Sequence, residues 1–469
     1  MKVNIISTKT IHPESFRIDP SFHLSEAIIL RKVLEKVPYG NIAIKDVTEK
    51  VFIGNIFSRI FVKDNEHGVP YLAASDTVLA DLNTGRFIAN KQAKDLSYLM
   101  LKKDWILITC SGTIGNVTYT NSTFENHLAT HDLIRVIPND KIIKKGCLYA
   151  YLSSKYGYNQ LTQSRFGGVV KHINADHVNN ISIPKFPDSF QTDIDDLIQE
   201  SSRLREEATE LLTISQKKLK DYASLKDLNT SDYDFYGPPV KGREPSTFIL
   251  SRRNINTTSI NAFNYSERIR NTKMLVKNSI PLKEVLLNGD IFSTGSFPRV
   301  EVNQENGIML INQSDIFDTI IKGKYISHRN VKTHNLVEYG EVIIAGVGTL
   351  GESETFCRAI YANEDLVGQL ISGEFIRMKV NSTIPSGYLF AWLNSDYGFR
   401  FIRNTQAGTK LCRPIPALFL EIPVPILADE QMNEIDQLVK KAHTLRYKAN
   451  CKERAAISMV EQEIEKWNN

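Results

Sequence analysis

Several features that often reveal a protein's class are scarce in this sequence of 469 residues. Cysteine occurs five times, at scattered positions and without a C-x-x-C pair, which argues against a disulfide framework and a zinc knuckle. No apolar run approaches the ~18 residues of a membrane span, and the first residues lack the apolar core of a signal peptide, so we expect a cytoplasmic protein without membrane contact. An excess of one charge is also missing, because 57 Lys and Arg stand against 53 Asp and Glu. Any basic surface must therefore be local.

A repeat with a period of about 240 residues is the main internal feature of the chain. SEAIILRKVLEKV (25–37) aligns with SERIRNTKMLVKN (266–278), and both predict a short amphipathic helix. Strand and turn letters are kept while loops differ in length and charge, which favours two related surfaces with different contacts over a duplication without functional meaning. The other matched segments are FIGNIFSR (52–59) with FSTGSFPR (292–299), GVPYLAASD (68–76) with GIMLINQSD (307–315), LIRV (133–136) with FIRM (375–378), LYAYLSSKYG (148–157) with LFAWLNSDYG (389–398), and ISIP (181–184) with LEIP (420–423).

A long helix is predicted after each copy. Apolar and small residues recur there at steps of four and three, which is the spacing of a heptad seam, and charged residues fill the other faces. Each helix would be roughly 50 to 60 Å long, and small residues such as Ala208, Ala442 and Ala449 let two helix axes come close. We therefore expect an antiparallel coiled coil; the alternative is that each helix packs on its own globular copy. The predicted seam includes Ile194, Leu197, Leu204 and Leu211 in the first helix, and Ile435, Leu438, Leu445 and Met459 in the second.

The predicted fold class is α+β, with two repeated mixed α/β domains joined by two long helices that form an antiparallel coiled coil. A segment with Gly and Pro residues that cannot continue a helix separates the first helix from the second copy. The predicted boundaries are 1–187 for the first domain, 188–228 for the first helix, 229–246 for the linker, 247–426 for the second domain and 427–469 for the second helix.

The stretch GEVIIAGVGTLGES (340–353) carries the Gly-x-Gly-x-x-Gly letters of a dinucleotide-binding loop. Acidic residues follow where phosphate would lie, and the counterpart DWILITCSGTIG (104–115) has Cys110 in place of the first glycine. Only Gly-Thr-x-Gly is common to both copies, and this predicts a strand-turn-strand whose glycines supply positive φ angles. Nucleotide binding is the disfavoured alternative. The predicted turn glycines are Gly112, Gly115, Gly348 and Gly351.

The sequence gives little support for metal binding or catalysis. His127 and His131 stand four residues apart, as a zinc pair on a helix would, but they lead into a predicted strand and the second copy has no histidine there. The sequence contains no G-x-x-x-x-G-K-[ST] P-loop and no H-E-x-x-H motif. We therefore predict no catalytic centre, no metal site and no cofactor in this chain.

Basic and aromatic residues recur in matching loops. Phe57-Ser-Arg59 and Phe297-Pro-Arg299 occupy equivalent positions, and RFGGVVKH (165–172) and RNTQAGTKLCR (403–413) each carry a basic residue on either side of a glycine. Glycine permits close backbone approach, and Arg and Lys bind phosphates or base edges, so these loops predict contacts with DNA. The candidate DNA-binding residues are Arg59, Lys63, Arg86, Arg165, Lys171, Arg299, Lys324, Arg329, Arg403 and Lys410.

Over nearly its whole length the sequence resembles the specificity subunits of type I restriction-modification systems. The resemblance is carried by the ILITCSGTIG and VIIAGVGTLG turns, the LYAYLSSKYG and LFAWLNSDYG helices, and the glycine loops at Gly167-Gly168 and Gly408. The segments ISIPKFPDSFQTDI and LEIPVPILADEQMNEI add a Pro-bearing strand end followed by Gln191 or Gln431 at the helix start. The PDSFQ of the first copy departs from the Pro-Leu/Ile-x-x-Gln ending of the family.

The resemblance implies a non-catalytic DNA-recognition subunit with two target-recognition domains and a helical spacer that docks methyltransferase subunits. Such a protein would recognise a bipartite, asymmetric target in double-stranded DNA, with the helix length setting the gap between the two parts. Two methyltransferase subunits would bind it and, through the assembled complex, restriction or translocase subunits. S-adenosylmethionine and ATP would then belong to those partners. The competing interpretation is a protein-binding scaffold with duplicated domains and a coiled coil.

Overall fold

The computed structural model describes residues 26–163, 172–237 and 247–468. Two long helices are accompanied by short helices that cover the sheets. No helix within these ranges is long and apolar enough to cross a lipid bilayer. The helices are α1 (Glu26–Leu34), α2 (Asn90–Asp95), α3 (Lys145–Ser153), α4 (Lys155–Gln163), α5 (Ala175–Asn179), α6 (Asp188–Tyr222), α7 (Glu267–Lys273), α8 (Leu282–Val285), α9 (Ser386–Leu393), α10 (Asp396–Asn404), α11 (Pro416–Phe419) and α12 (Asp429–Lys466).

The strands are short and lie in two successive groups along the chain. The first group is β1 (Asn41–Ala43), β2 (Thr48–Ile53), β3 (Phe61–Val62), β4 (Gly68–Leu72), β5 (Phe87–Ala89), β6 (Ile106–Thr109), β7 (Val117–Tyr119), β8 (Leu128–Ala129), β9 (Leu133–Pro138) and β10 (Ser182–Pro184). The second group is β11 (Ser279–Pro281), β12 (Gly307–Ile311), β13 (Lys324–Ser327), β14 (Val342–Ala345), β15 (Ala359–Tyr361), β16 (Leu370–Ile371), β17 (Phe375–Met378), β18 (Gln406–Ala407), β19 (Arg413–Pro414) and β20 (Pro423–Pro425).

The main sheet of each half has the same strand order. In the first half the order is β2-β9-β6-β7. In the second half β17, β14 and β15 follow the same order, and a bridge between Phe292 and Arg377 takes the place of the β2–β9 pairing. The central strands β6 and β14 read ILIT and VIIA and are buried at every position, because other elements cover both of their faces.

The smaller sheets also correspond. β4 pairs with β5 in antiparallel and with β8 in parallel orientation, and β12 pairs with β13 and β16 in the same two ways. β1 pairs with β10, and β11 pairs with β20. The two halves of the chain therefore repeat one arrangement of strands.

The register of the last strands corrects one part of the sequence alignment. β1 begins at Asn41 opposite Pro184, and β11 begins at Ser279 opposite Pro425, so ISIP corresponds to IPVP (422–425) and not to LEIP (420–423). The two extra residues, Leu420 and Glu421, lie at the end of α11 and in the turn that follows it.

The helix starts shift with this register. Asp195 accepts a hydrogen bond from the Gly146 amide at 2.6 Å, and Asp436 accepts the equivalent bond from Gly387 at 2.8 Å. With these two aspartates matched, the counterpart of Gln191 is the buried Met432, whereas Gln431 caps the helix by accepting a bond from Ala428 N. Both glutamines therefore lie in the first turn of their helices, as the sequence analysis placed them, but at positions that differ by one residue.

The two long helices pack against each other in opposite directions. Ser201 Oγ in the first half of α6 donates to the Ala449 carbonyl oxygen at 2.9 Å, and near the end of α6 Lys218 Nζ lies 2.9 Å from a carboxylate oxygen of Glu434, near the start of α12. The first helix ends at Tyr222, before the predicted residue 228, and Ser224 follows with φ of 51°. The middle of the pair is an apolar cluster of Leu204, Ala208, Ala442, Leu445 and Ala449.

Four of the eight predicted seam residues are buried, and at three other positions the buried residue is the next one along the chain. Leu197, Leu438 and Met459 are only half-buried, whereas their neighbours Ile198, Val439 and Val460 are buried. Leu211 is half-buried at the margin of the central cluster, and the predicted seam residues Ile194 and Ile435 are buried. The displacement has a physical cause, because each helix end turns its apolar face toward a globular core as well as toward the other helix.

Each globular core takes up the start of one long helix and the end of the other. Ile194 and Ile198 of α6 and Val460 and Ile464 of α12 belong to the core of the first half. Leu219 near the end of α6 joins Met432, Ile435 and Val439 of α12 in the core of the second half. The alternative that each helix packs on its own globular copy therefore describes only the helix starts, because the end of each helix packs on the other half. Helix pairing describes their middle.

Candidate nucleic-acid interface

Loops gather at one edge of the main sheet in each half. In the first half β2 ends at Ile53 opposite Ile134, and β6 ends at Thr109 opposite Leu133, so β9 begins where both of these strands stop. Residues 54–60, 110–116 and 130–132 meet at this edge. In the second half β14 ends where β17 and β15 begin, which brings residues 293–300, 346–358 and 372–374 together.

Arg59 is held at this edge with its charge exposed. Its Nε donates to the Tyr71 hydroxyl at 2.5 Å, and its Nη2 donates to Thr130 Oγ1 at 3.1 Å. The guanidinium carbon lies 5.7 Å from the centre of the Tyr71 ring and 5.9 Å from that of Phe57. Among the described residues, no carboxylate forms an ion pair with Arg59. The side chain is therefore oriented by neutral groups, and its charge is not balanced by a carboxylate of the described residues.

Arg299 takes the matching position in the second half. The pattern of buried and exposed residues from 291 to 300 repeats, residue by residue, the pattern from 51 to 60. The Arg299 guanidinium lies 6.0 Å from the centre of the Phe297 ring, and the side chain is exposed without a carboxylate partner in the described part of the chain. The structure thus places one exposed, unneutralised arginine at the same point of each edge.

Two buried arginines support these edges from below, and the sequence analysis did not single them out. Arg135 is fully buried and donates to the carbonyl oxygens of Ala129 and Thr130, both at 3.1 Å. Burial lowers the pKa of Arg135 to about 10. Through these bonds Arg135 fixes the segment that also contacts Arg59.

Arg377 is the counterpart of Arg135. It is 1% exposed and forms two bonds of 2.8 Å with the buried Glu341 carboxylate. Its guanidinium lies 4.8 Å from the Phe292 ring, as that of Arg135 lies 5.8 Å from Phe52. The sequence carried a signal for both residues, since an arginine stands at the same place of the two apolar strands LIRV and FIRM. A charge in a buried strand requires hydrogen-bond partners, so this pattern indicates a structural role.

The glycine turns differ between the copies. Gly112 has φ of 68° and Gly115 has φ of 90°, as predicted. Gly348 and Gly351 do not have positive φ, so that prediction was wrong for the second copy. A Cβ on Gly348 would lie 2.9 Å from the Cβ of the buried Phe356, so close packing accounts for this glycine. One on Gly351 would lie 2.7 Å from Cγ of the exposed Glu354.

The strand-turn-strand itself is present in both halves. β7 follows the first turn and β15 follows the second, and each pairs with the strand before the turn. No helix follows Gly351 before β15 begins at Ala359. The geometry of a dinucleotide-binding loop, which needs a helix N-terminus at that point, is therefore not formed.

Each turn lies beside the glycine loop that the sequence singled out. Gly348 and Cys412 exchange two backbone hydrogen bonds, of 3.2 and 2.7 Å, and Thr349 Oγ1 donates to the Lys410 carbonyl oxygen at 3.2 Å. Lys410 is exposed beside the second turn. In the first half Ser111 bridges to His172. The candidates Arg165 and Lys171 of that loop, with Gly167 and Gly168, lie outside the described residues.

Arg403 does not lie on this surface. It is 3% exposed and pairs at 3.2 Å with Glu352, which also lies 2.5 Å from Arg400. Glu352 accepts a further bond of 2.9 Å from the Tyr236 amide, so the pair fastens the linker to the second turn. Burial acts to raise the pKa of Glu352, but the Arg400 and Arg403 charges outweigh it and hold that pKa below its ordinary value. The predicted DNA contact of Arg403 is corrected by its burial in this cluster.

The remaining candidates lie on or beside the smaller sheets. Arg86 pairs with Asp76, and Lys324 Nζ lies 2.6 Å from a Glu301 carboxylate oxygen, so both are partly neutralised. Lys63 and Arg329 are exposed. The structure therefore brings Arg59, Arg299 and Lys410 to the loop edges and places these four elsewhere on the two globular parts.

The two spaced histidines form no metal cluster. His127 Nδ1 lies 3.2 Å from the Glu125 carbonyl oxygen, and His131 Nε2 lies 3.4 Å from the Asp132 carboxylate. Across the ranges that the structure describes, no three His, Cys, Asp or Glu side chains come together as metal ligands would.

Comparison with known proteins gives one match to a family. Residues 36–203 match the model of the type I restriction modification DNA specificity domain. These residues run from the loop after α1 into the first half of α6. No curated protein matches the chain.

Several solved structures are similar over most of the chain at low identity. The S subunit of a type I restriction-modification system from M. genitalium is 14% identical, with 92% of this chain and 95% of that chain covered and a TM-score of 0.33. The HsdS subunit from Thermoanaerobacter tengcongensis is 13% identical, with 91% and 98% covered and a TM-score of 0.28.

Proposed function

Because residues 36–203 belong to the family of type I restriction modification DNA specificity domains, we propose that the whole chain is the specificity subunit of such a system and binds a bipartite, asymmetric DNA target. The two halves act as target-recognition domains, and the chain itself has no catalytic role. The observation that carries the proposal is the recurrence of one exposed arginine, Arg59 or Arg299, at the same loop edge of both halves.

The loop edges suit DNA in shape and charge. Loops at the end of a sheet can enter a groove, and arginines oriented by neutral groups can bind phosphates or the edge of guanine. The loops differ in sequence between the halves, so each edge would recognise different bases. This difference is why the proposed target is asymmetric.

The long helices act as the spacer in this proposal. Their antiparallel packing relates the two halves by an approximate twofold rotation, which suits two half-sites in inverted orientation on DNA. The repeated helices also offer two equivalent outer surfaces, to which we assign two methyltransferase subunits. Restriction or translocase subunits would join through that assembly, and S-adenosylmethionine and ATP would be bound by the partner subunits.

Mapping of methylated adenines tests the proposal. DNA from cells with and without an intact gene for this chain is compared, and the expected result is the loss of one bipartite motif when the gene is absent. An unchanged methylation map overturns the proposal.

Binding to random-sequence duplexes tests the competing scaffold. The chain is purified together with its methyltransferase partner, and bound duplexes are recovered and sequenced over several rounds. Enrichment of two short motifs at a constant separation supports the specificity subunit. A complex that assembles without any sequence selection would support the scaffold.

A further inference from the structure

Backbone hydrogen bonds join the two globular halves through one short segment from each. Ala80 N donates to the Phe317 carbonyl oxygen at 2.9 Å, and Thr319 N donates to the Val78 carbonyl oxygen at 2.7 Å. Between these bonds Leu79 and Asp318 face each other as an antiparallel bridge. We call residues 78–80 with 317–319 the inter-domain clasp.

The clasp joins equivalent positions of the repeat. GVPYLAASD and GIMLINQSD align so that Asp76 matches Asp315, and by the same count Leu79 matches Asp318. Exchanging the two halves converts each hydrogen bond of the clasp into the other. An approximate twofold axis therefore passes between Leu79 and Asp318, as it does through a self-complementary interface of a symmetric dimer.

The long helices hold both sides of the clasp. Arg446 Nη2 donates to the Ala80 carbonyl oxygen, and Asn450 Nδ2 donates to the Thr319 carbonyl oxygen, both at 2.9 Å. These two acceptors are equivalent in the repeat. Asn450 Oδ1 also accepts a bond of 2.8 Å from Arg205 Nη2 of α6. The clasp is thus fastened to the middle of the helix pair, where the helices lie between the two halves.

Space remains on both sides of the clasp. One cavity of about 250 Å³ includes Tyr149 and Thr319 in its lining, and another of about 170 Å³ includes Phe390 and Ala80. Since the halves do not fill these cavities, the narrow clasp carries the direct contact between the halves at this place. Loss of its two hydrogen bonds would remove the backbone link between the halves and leave each half held by its contacts with the long helices, such as the bonds of 2.9 Å that Arg446 and Asn450 donate.

We propose that the inter-domain clasp is a specificity-determining element that sets which separation between the two half-sites is accepted. The proposal rests on the proposed function. One added base pair moves a half-site by about 3.4 Å along the DNA and rotates it by about a tenth of a turn. A clasped pair of domains cannot follow both changes, whereas domains held only by their contacts with the long helices have more freedom to tilt and accommodate them. Ala80, Thr319, Arg446 and Asn450 act as positioning residues in this device.

Two proline variants remove the clasp bonds with little change in side-chain size. Ala80→Pro and Thr319→Pro each delete one donating N–H group. Ala80→Ser and Thr319→Ser keep the N–H group and are the matched controls. Hydrogen exchange of the free chain first establishes the pairing: the Ala80 and Thr319 amides are protected in the wild type, and Ala80→Pro exposes the Thr319 amide.

A cross-linked variant keeps the proposal testable even if the proline variants misfold. Leu79 and Asp318 form a bridge without direct hydrogen bonds between them, a pairing in which Cα atoms lie about 4.5 Å apart and a disulfide fits. Leu79→Cys with Asp318→Cys is made in a Cys451→Ser background, because Cys451 is the exposed cysteine among the described residues. The oxidised protein has a permanent clasp, and the reduced protein is its control.

Binding is then measured for the complex with methyltransferase on duplexes with the mapped half-sites at the native separation and at one base pair more or less. The wild type, the serine controls and the oxidised cross-linked protein should bind the altered separations at least about tenfold more weakly. The proline variants should bind all three separations within about threefold of one another. Proline variants that lose amide protection and still discriminate like the wild type overturn the proposal.

The outcome for the proposed function is separate. Rapidly exchanging Ala80 and Thr319 amides in the wild type, or failure of the cysteine pair to cross-link, overturn the clasp even if the chain selects a bipartite target. A wild-type complex without sequence selection overturns the proposed function, and the spacing role with it, even when the amides are protected.

Discussion

Ser201 Oγ on the first long helix donates a hydrogen bond of 2.9 Å to the carbonyl oxygen of Ala449 on the second. Both residues are buried. Ala449 also belongs, with Ala208 and Ala442, to the apolar cluster in the middle of the helix pair. A hydroxyl can reach the backbone of a neighbouring helix only where side chains between the axes are small. The alanines of the central cluster therefore set the distance between the helices.

A charge in this cluster should destabilise the chain. Leu204→Asp places an unpaired carboxylate among buried apolar side chains and should lower the free energy of unfolding by at least about 3 kcal/mol, measured by denaturant titration. Lys217→Asp on the exposed face of the same helix is the control and should change it by less than about 1 kcal/mol. Equal melting behaviour of the two variants would refute the packing described for the helix pair.

The buried ion pair of the second half should show a defined pH dependence. Glu352→Gln leaves Arg400 and Arg403 without their carboxylate and should cost about 3–5 kcal/mol at pH 7. The folded-state pKa of Glu352 lies below its ordinary value, so the pair's contribution is complete above about pH 4.3 and is lost as the pH falls through the lowered pKa. The difference between wild type and variant should therefore shrink in acid.

The control for Glu352 is an exposed pair of the same half. Glu301→Gln removes the partner of Lys324, and both side chains are well exposed, so the change should be within about 1 kcal/mol at every pH. A Glu352→Gln variant as stable as this control would mean that the buried arginines do not depend on the carboxylate.

Asp318 in the clasp should behave in the opposite sense. Burial, reinforced by the nearby Asp315 charge, raises the pKa of Asp318 to about 6. The folded chain then holds this proton more tightly than the unfolded chain, so stability falls as the pH rises from about 4 to about 6. Because the side chain is half-exposed, Asp318→Asn should stabilise the chain by no more than about 1 kcal/mol at pH 7.5, and the gain should vanish near pH 4.

Thermal unfolding at a series of pH values measures this difference. Asp95→Asn changes an exposed aspartate of the first half and should leave the pH profile as in the wild type. If Asp318→Asn is less stable than the wild type at pH 7.5, its carboxylate has a favourable partner in solution and the clasp geometry is different from that described.

The order of elements could be predicted because the repeat exposes it. ILIT and VIIA mark the two central strands, and their shared neighbours predict the same sheet twice. The heptad spacing located both long helices as well. It could not choose between Leu197 and Ile198, because both are apolar and the choice depends on the globular core that meets the helix end. The exact helix face is a tertiary property.

The sequence also could not predict which individual charged residues are buried. Arg59 and Arg403 both stand near predicted loops, yet one is exposed and the other is paired with Glu352. That carboxylate is distant along the chain and reaches Arg403 only through the fold. The clasp residues Leu79 and Asp318 gave no signal either, because their pairing follows from the twofold relation of the halves and not from local letters.

Substitution of the two exposed arginines tests whether each half binds its own half-site. Arg59→Ala should weaken selection at one half-site only, and Arg299→Ala at the other, because each lies on the loop edge of one half. If the arginine binds a base edge, discrimination against the wrong base should fall by about 1–3 kcal/mol. The methylated motif would then accept more than one base at that position. A phosphate contact would instead weaken binding to all sequences without relaxing the motif. It would also reduce the slope of log K against log salt concentration by about one. Arg270→Ala, an exposed arginine of α7 away from the loop edges, is the control. Arg59 lies in the first half and Arg299 in the second, so relaxation of both half-sites by either variant would contradict the assignment of one DNA-binding surface to each half.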